Sequence, residues 1–362
     1  MERVDVAVIG SAQSGLAAAH ALRRHGLAPV VLESSDRPAG SWPRYYESLR
    51  LFSPARYSSL PGMPFDGDLD RYPHRDEVIA YLLRYADRLD ADIRTRTRVL
   101  EVSYGDGAFG LSLEDGSQLE ARAVVAATGT FGRPHRPDLP GLEGYAGVVL
   151  HAADYRSPEP FTGQRVMVVG AGNSAVQIAV EVAGRAHVTL AARHAVRFAR
   201  QRTLGRDLHW WLARTSLDTL PIGRFLRTPP TQLIIDDGRY RPAVAPGRPD
   251  RRPLFTGISE TKVIWTDGTT EEVDTILLAT GYRPDLGYLA PLGALDASGH
   301  PRHREGISLT HPGPVYVGLE WQRSLSSNSL RGVGRDAVRT ARHVAAHLAH
   351  FGEAGLGSGR AD

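Results

Sequence analysis

The chain has 362 residues, enough for two domains of ordinary size, and its 42% hydrophobic and 23% charged composition is that of a soluble globular protein. Net charge is only +3, with Lys262 the single lysine, and the charges are scattered without a basic stripe interleaved with aromatics, which argues against a nucleic-acid partner. Cysteine is absent, which excludes disulfides, thiolate metal sites and dithiol redox relays and fits a reducing cytoplasm.

Residues 4 to 9, "VDVAVI", form a continuous apolar run suited to a parallel strand covered on both faces. No basic leader precedes it, so no signal peptide is expected. Gly10, Ser11, Ala12, Gln13, Ser14 and Gly15 then read as a glycine-rich turn that opens a helix, "LAAAHALRRHG". The next strand, "APVVLES", ends in Glu33, about 20 residues past the turn, the interval of a ribose-binding carboxylate. Glycine lets the backbone approach a pyrophosphate, the helix N-terminus supplies N–H donors, and the acid accepts from a ribose hydroxyl. Ala12 replaces the middle glycine of this pattern.

The stretch "AVVAATGTFGRP" (123–134) is a buried strand ending in Ala127, Thr128 and Gly129. A second strand–turn–helix unit follows at "VMVVGAGNSA", with Gly170, Gly172, Asn173 and Ser174, and alanine at its third pattern position. Its helix, "SAVQIAVEVAG", leads to the strand "HVTLAAR", which ends in Arg193 rather than an acid, with Arg197 and Arg200 close behind. Arginine suits a ribose 2′-phosphate, so the first unit reads as a site for a free ribose hydroxyl and the second for a phosphorylated ribose. The alternative for Arg193 is a solvated surface arginine.

Residues 195 to 260 interrupt this unit with the paired tryptophans of "DLHWWLART" and two proline-rich stretches, "TPPTQL" and "PAVAPGRPDRRP". A lid, a substrate wall, a dimer contact and a plain packed insertion all remain open. Then "TKVIWTDGTTEEVDTILLATG" reads as strand, turn at Asp267-Gly268, and strand, closing on a second Ala-Thr-Gly at 279–281. The fold class is therefore α/β, with two nested Rossmann-like dinucleotide-binding domains. The first is expected over residues 1–155 and 286–362 and the inserted second over 156–285. No apolar run reaches the roughly 18 residues of a membrane span, no metal site is expected, and the tail "GEAGLGSGRAD" reads as frayed.

On these motifs the chain resembles the two-dinucleotide-binding-domain flavoproteins, and within them the flavin-containing monooxygenases of class B. Tyr145, Gly147, His151 and Tyr155, in "YAGVVLHAADYRSP", are similar to that family's fingerprint, with tyrosine at 145 where phenylalanine is usual. The segment "GSWPRYYESLRLFSPARYSSLPG" (40–62) resembles the family's flavin-lining stretch, with Ser41 in place of a second glycine. "WQRSLSSNSLRGVGRDAVRTARHVA" resembles the final segment, which places a helix N-terminus by the flavin. The likeness covers nearly the whole chain and is best to the shorter bacterial members. Baeyer–Villiger enzymes usually carry tryptophan at the place of Tyr155 and are longer, which lowers ketone oxygenation here.

The resemblance implies FAD in the first domain and NADPH in the second. NADPH would reduce the flavin, and a C4a-(hydro)peroxyflavin would oxygenate a small soft-nucleophile (sulfur or nitrogen) or organic substrate, with O2 as co-substrate. It implies cofactor contacts at Gly10, Ala12, Gln13, Ser14, Gly15, Glu33, Trp42, Val99, Gly129, Gly170, Gly172, Asn173, Ser174, Arg193, Gly281 and Gly334, and catalytic roles for Ser53 and Asn173 beside the flavin edge. Two readings stay as rivals: a reductase passing electrons to ferredoxin or a quinone, and a nucleotide-binding sensor without turnover. Thioredoxin reductase chemistry is excluded by the missing cysteines.

Overall fold

A computed structural model describes residues 1–226, 233–245 and 247–357, with side chains to residue 350. "TPPTQL" therefore lies outside the described residues except for its last residue, as does the end of the tail read as frayed. Ten strands and four helices place the site. In chain order they are β1 (Glu2–Ile9), α1 (Gln13–Arg23), β2 (Pro29–Leu32), α2 (Arg75–Arg88), β3 (Asp92–Arg94), β4 (Gln118–Ala126), β5 (Val148–His151), β6 (Arg165–Val169), α3 (Asn173–Val182), β7 (His187–Ala192), β8 (Asp250–Pro253), β9 (Thr275–Leu278), β10 (Pro314–Tyr316) and α4 (Val333–Gly357).

Among the described residues these strands form two main sheets. The first runs β10-β4-β1-β2-β3, all parallel, and is extended by short antiparallel strands at 303–308. An antiparallel hairpin, Val99–Gly105 with Ala108–Leu113, pairs with the start of β4 at Phe109 and Ala121. The second is parallel throughout, in the order β8-β7-β6-β9-β5. This is the expected α/β architecture of two Rossmann-like units. Strand β5 belongs to the second sheet: its residues, grouped from the sequence with the first unit, pair with β9 at Leu150 and Leu277.

The apolar runs explain why both sheets are buried on both faces. Val6 and Val8 face one cluster, with Leu16, Leu22, Tyr81 and Val344 from α1, α2 and α4, while Ala7 and Ile9 face another built on the hairpin and residues 286–295. In β6, Val166 and Val168 pack on α3 while Met167 and Val169 pack on Val263 and Trp265. Each fully buried aliphatic side chain of this kind contributes about 1.5–3 kcal/mol. The expected strand–turn–strand is present as Lys262–Ile264 against Thr270–Glu272. No described helix is long and apolar enough to cross a membrane.

Candidate cofactor and active site

The two glycine turns are built alike. Gly10 donates its N–H to Leu32 at 2.8 Å and Gly170 donates to Ala191 at 2.9 Å, so each turn is pinned to the next parallel strand. Both sit at positive φ, +99° and +148°, where an L side chain is strained. A Cβ on Gly10 would lie 2.9 Å from the carbonyl oxygen of Ala127, and one on Gly170 would overlap that of Ala279. Those alanines begin the two Ala-Thr-Gly segments. The recurring sequence thus marks the backbone against which each turn is packed, and its glycines, Gly129 and Gly281, carry φ of +73° and +84°. The segments meet at the crossing between units, where residues 133–134 pair with 282–283 and His135 donates its N–H to Gly281 at 2.9 Å.

In the first turn, a Cβ on Gly15 would overlap the carbonyl oxygen of Gly10, so α1 packs onto β1 only through glycine. Ala12 precedes α1 without capping it, and the first turn of the helix has no acid, leaving N–H donors for an anion. The methyl of Ala12 is matched by Gly40, whose Cβ would fall 2.6 Å from it. Gln13 accepts from the indole N–H of Trp42 at 2.8 Å, and Ser14 is buried beneath Gly318. Glu33 is buried and accepts from the N–H and hydroxyl of Ser11, both at 2.8 Å, and from the Ser35 N–H at 2.8 Å. A buried carboxylate needs such donors. Val99 opens the hairpin and packs in the same cluster as Ile9 of β1 and Leu32 of β2.

The second turn is more open. Gly172 precedes α3, again uncapped and with no first-turn acid, and residues 171–174 are half-buried. Asn173 is not free: its amide donates to the Leu233 carbonyl at 3.4 Å and accepts from the Ile235 N–H at 3.1 Å, holding the insertion at the head of the helix. Arg193 is exposed at the end of β7 and makes no ion pair among the described residues. With Arg133 and Arg283 it surrounds His135, whose pKa is lowered by burial and then by these three cations.

The fingerprint residues fasten the segment that leads into the second sheet. Tyr145 donates to the Val273 carbonyl at 2.8 Å, and a Cβ on Gly147 would overlap that hydroxyl. His151 is buried; its Nδ1 accepts from the Ala153 N–H at 3.0 Å and its Nε2 lies 3.1 Å from the Gly281 carbonyl, which fixes the Nε2–H tautomer. Tyr155 donates to Glu181 of α3 at 2.9 Å, and Ser48 donates to the same carboxylate at 2.8 Å, while Tyr46 bonds Gln177. α3 is thus fastened to the 46–48 segment that runs on to Ser53.

Ser53 pairs its hydroxyl with that of buried Ser58 at 2.7 Å. Gly334 opens α4 against Pro61, with no room for a Cβ (2.5 Å). An open cavity of about 490 Å³ lies beside it, lined by Leu60, Pro61, Leu330, Gly334, Arg335 and Val338. The insertion crosses to this region. Buried Asp218 accepts from Arg331 at 2.6 Å and 3.2 Å, and its carbonyl accepts from the Ser326 hydroxyl at 2.9 Å. Asp207 accepts from Tyr72 and Gln201; burial raises its pKa, but hydrogen bonds led by His209 lower it overall. Ser11, Gly40, Ser58, Glu181 and the Asp218–Arg331 pair were not singled out from sequence. Ser11 left a local signal there by lying inside the turn, and Gly40 and Ser58 by lying in the 40–62 stretch.

The residues present fit an FAD in the first turn: the packed glycine bend, the uncapped helix and the buried carboxylate. They fit NADPH in the second. Residues 7–218, over half the chain, match the pyridine nucleotide-disulphide oxidoreductase family. The chain is 31% identical over 340 residues to an uncharacterized CzcO-like oxidoreductase of Geobacillus kaustophilus, covering 92% of this chain and 96% of that one. It is 31% identical to the indole-3-pyruvate monooxygenase YUCCA1 of Oryza sativa subsp. japonica, covering 93% and 90% of the two chains. A flavin-containing monooxygenase structure from Stenotrophomonas maltophilia superposes with a TM-score of 0.85 at 35% identity, covering 96% of this chain and 100% of that one. The chain therefore belongs to the flavin-containing monooxygenase branch of the pyridine nucleotide-disulphide oxidoreductase family, an oxidoreductase dependent on FAD and NADPH.

Proposed function

We propose that the protein is a monooxygenase that transfers one oxygen atom of O2 to a small substrate carrying a soft nucleophile, sulfur or nitrogen, or to another small organic molecule. The observation that best supports this is the fastening of α3 to the 46–48 segment through Glu181 and Gln177, which ties the helix of the second turn to the segment whose Trp42 is bonded to Gln13 of the first, with no redox cysteine in the chain. In this reading the unit of residues 1–155 and 286–362 takes FAD, and the unit of 156–285, joined by β5, takes NADPH.

Gly10, Ala12, Gln13, Ser14 and Gly15 hold the FAD pyrophosphate through the N-terminus of α1, and Glu33 holds the ribose. Trp42, fixed by Gln13, together with Val99, Gly129 and Gly281, bounds the flavin. Gly170, Gly172 and Ser174 hold the NADPH pyrophosphate, and Arg193 holds its 2′-phosphate. Bound FAD would supply hydride acceptance from NADPH and the activation of O2. The chain supplies position and electrostatics: Gly334 sets the start of α4 toward the negative charge of reduced flavin, and Ser53 offers a hydroxyl oriented by Ser58. Asn173 orients the insertion at the head of α3. The reading includes a cytoplasmic site of action and no nucleic-acid partner, with homodimerisation a separate matter.

The test is stopped-flow spectroscopy. Flavin reduced anaerobically by NADPH is mixed with oxygenated buffer, and a long-lived C4a-(hydro)peroxyflavin absorbance before reoxidation is expected. Direct return to oxidised flavin with stoichiometric hydrogen peroxide would overturn the monooxygenase reading and direct assays to ferredoxin and quinone acceptors.

A further inference from the structure

The charges that look evenly scattered along the sequence are not so in the folded insertion. Between residues 195 and 226 the acids are Asp207 and Asp218 alone, and both are turned inward. Asp218 is buried against Arg331, and the Asp207 side chain is only 11% exposed among Tyr72, Gln201 and His209. Arg202, Arg206 and Arg214 are exposed and make no ion pair among the described residues. Arg206 and Arg214 lie over the Trp210 ring, at 5.3 Å and 5.8 Å from its centre.

The same stretch carries protruding apolar side chains. Leu204, at the tip of a short hairpin, is 85% exposed, Phe225 is 70% exposed and Leu217 is 57% exposed, and Leu220 and Ile222 are also exposed. All of them lie on the stretch from Leu204 to Phe225, which two hydrogen bonds tie down. The Trp211 indole donates to the Thr203 carbonyl at 3.1 Å, joining hairpin to helix, and Gly223 donates to the Arg323 carbonyl at 2.8 Å, joining the end of the stretch to the segment of exposed Leu325. These are knobs rather than a groove. A soft interface accepts knobs of leucine and phenylalanine edged by tryptophan and arginine, and an anionic one is attracted by the unpaired cations. A second copy meeting this face symmetrically would bring arginine against arginine.

We propose that the face of residues 202–225 docks on an anionic lipid bilayer surface, holding the enzyme at the membrane without spanning it. This does not depend on the oxygenation reading, since none of Leu204, Arg206, Arg214, Leu217 and Phe225 is assigned to a cofactor or to the chemistry. The full-length, FAD-loaded protein is cosedimented with phosphatidylcholine vesicles with and without phosphatidylglycerol. The bound fraction should rise about tenfold or more with the anionic lipid and fall at high salt. Leu204→Ser with Phe225→Ser, and separately Arg206→Glu with Arg214→Glu, should each abolish binding while flavin content and NADPH oxidation in solution stay unchanged. Protein that stays in the supernatant with anionic vesicles, or binds both vesicle types equally, overturns the proposal. So does a concentration-dependent dimer lost on the Leu204 and Phe225 substitutions, which would assign the face to a second copy. Retention on single-stranded DNA as strong as on anionic vesicles also overturns it.

Discussion

The two glycine turns share a backbone plan and differ in closure. In the first, Ser11, Ser14, Gly15 and Glu33 are buried, and the acid is already held by three donors from Ser11 and Ser35. In the second, residues 171–174 are half-buried, alanine fills the third pattern position, and Arg193 waits exposed and unpaired among the described residues. A closed, pre-organised turn suits a cofactor that stays; an open one suits a cofactor that enters and leaves each cycle. The difference lies in a handful of side chains, and substitution can break it.

The largest effect is expected at Gly15→Ala. The added methyl would overlap a backbone oxygen, beyond the roughly 1–3 kcal/mol of ordinary overpacking. The variant should purify without flavin, read from the ratio of visible to ultraviolet absorbance. Its counterpart in the second turn, Ala175→Gly, should cost only about 1 kcal/mol of helix propensity and retain flavin. Equal losses at the two positions would erase the contrast between the turns.

Glu33→Gln comes next. It keeps the shape but loses charge-assisted hydrogen bonds worth about 1.5–3 kcal/mol. FAD affinity, measured by titrating the apoprotein, should fall roughly tenfold to a hundredfold. Arg193→Ala should raise KM for NADPH about tenfold while leaving KM for NADH and flavin content unchanged, and the difference should shrink with salt because the group is exposed. A flavin loss in this variant would place Arg193 in the wrong unit.

The smallest effect is on pH dependence. Burial lowers the pKa of His151 from its ordinary 6.5. Both states are neutral at high pH, but as pH falls below 6.5 the unfolded chain takes up the proton more readily. Stability should therefore drop on acidification, by at most about 1.4 kcal/mol per pH unit for this group, and level off below the folded pKa. Chemical denaturation of His151→Asn between pH 7.5 and pH 5.5 should show a shallower slope than the parent.

Much of this was legible in the sequence because it is local. A continuous apolar run, a glycine bend, and an acid or arginine one βαβ interval later lie within a few dozen residues, as at Gly10 to Glu33 and Gly170 to Arg193. The pairing of Ala-Thr-Gly segments was readable too, although its cause, the carbonyls of Ala127 and Ala279 pressing on Gly10 and Gly170, needed the fold. What sequence did not reveal depends on partners far along the chain. Asn173 reads as a residue for the nicotinamide, yet its amide is engaged by residues 233 and 235. Strand β5 is apolar enough for either sheet, and only its register against β9 assigns it. The inward turn of Asp207 and Asp218, which leaves the insertion positively charged outside, has no signature in one dimension.

The Asp218–Arg331 pair has a mechanical consequence. It is a two-pronged clasp, nearly dry, between a loop carried by one unit and the residue just before the long terminal helix of the other. Opening the molecule by swinging the units apart would expose and separate both charges at once, which a pair so deeply desolvated resists strongly. The NADPH proposed for the second turn would then come and go by local loosening at the half-buried turn of residues 171–174. The clasp turns what looks like a hinged two-lobed machine into a fixed frame with one small door.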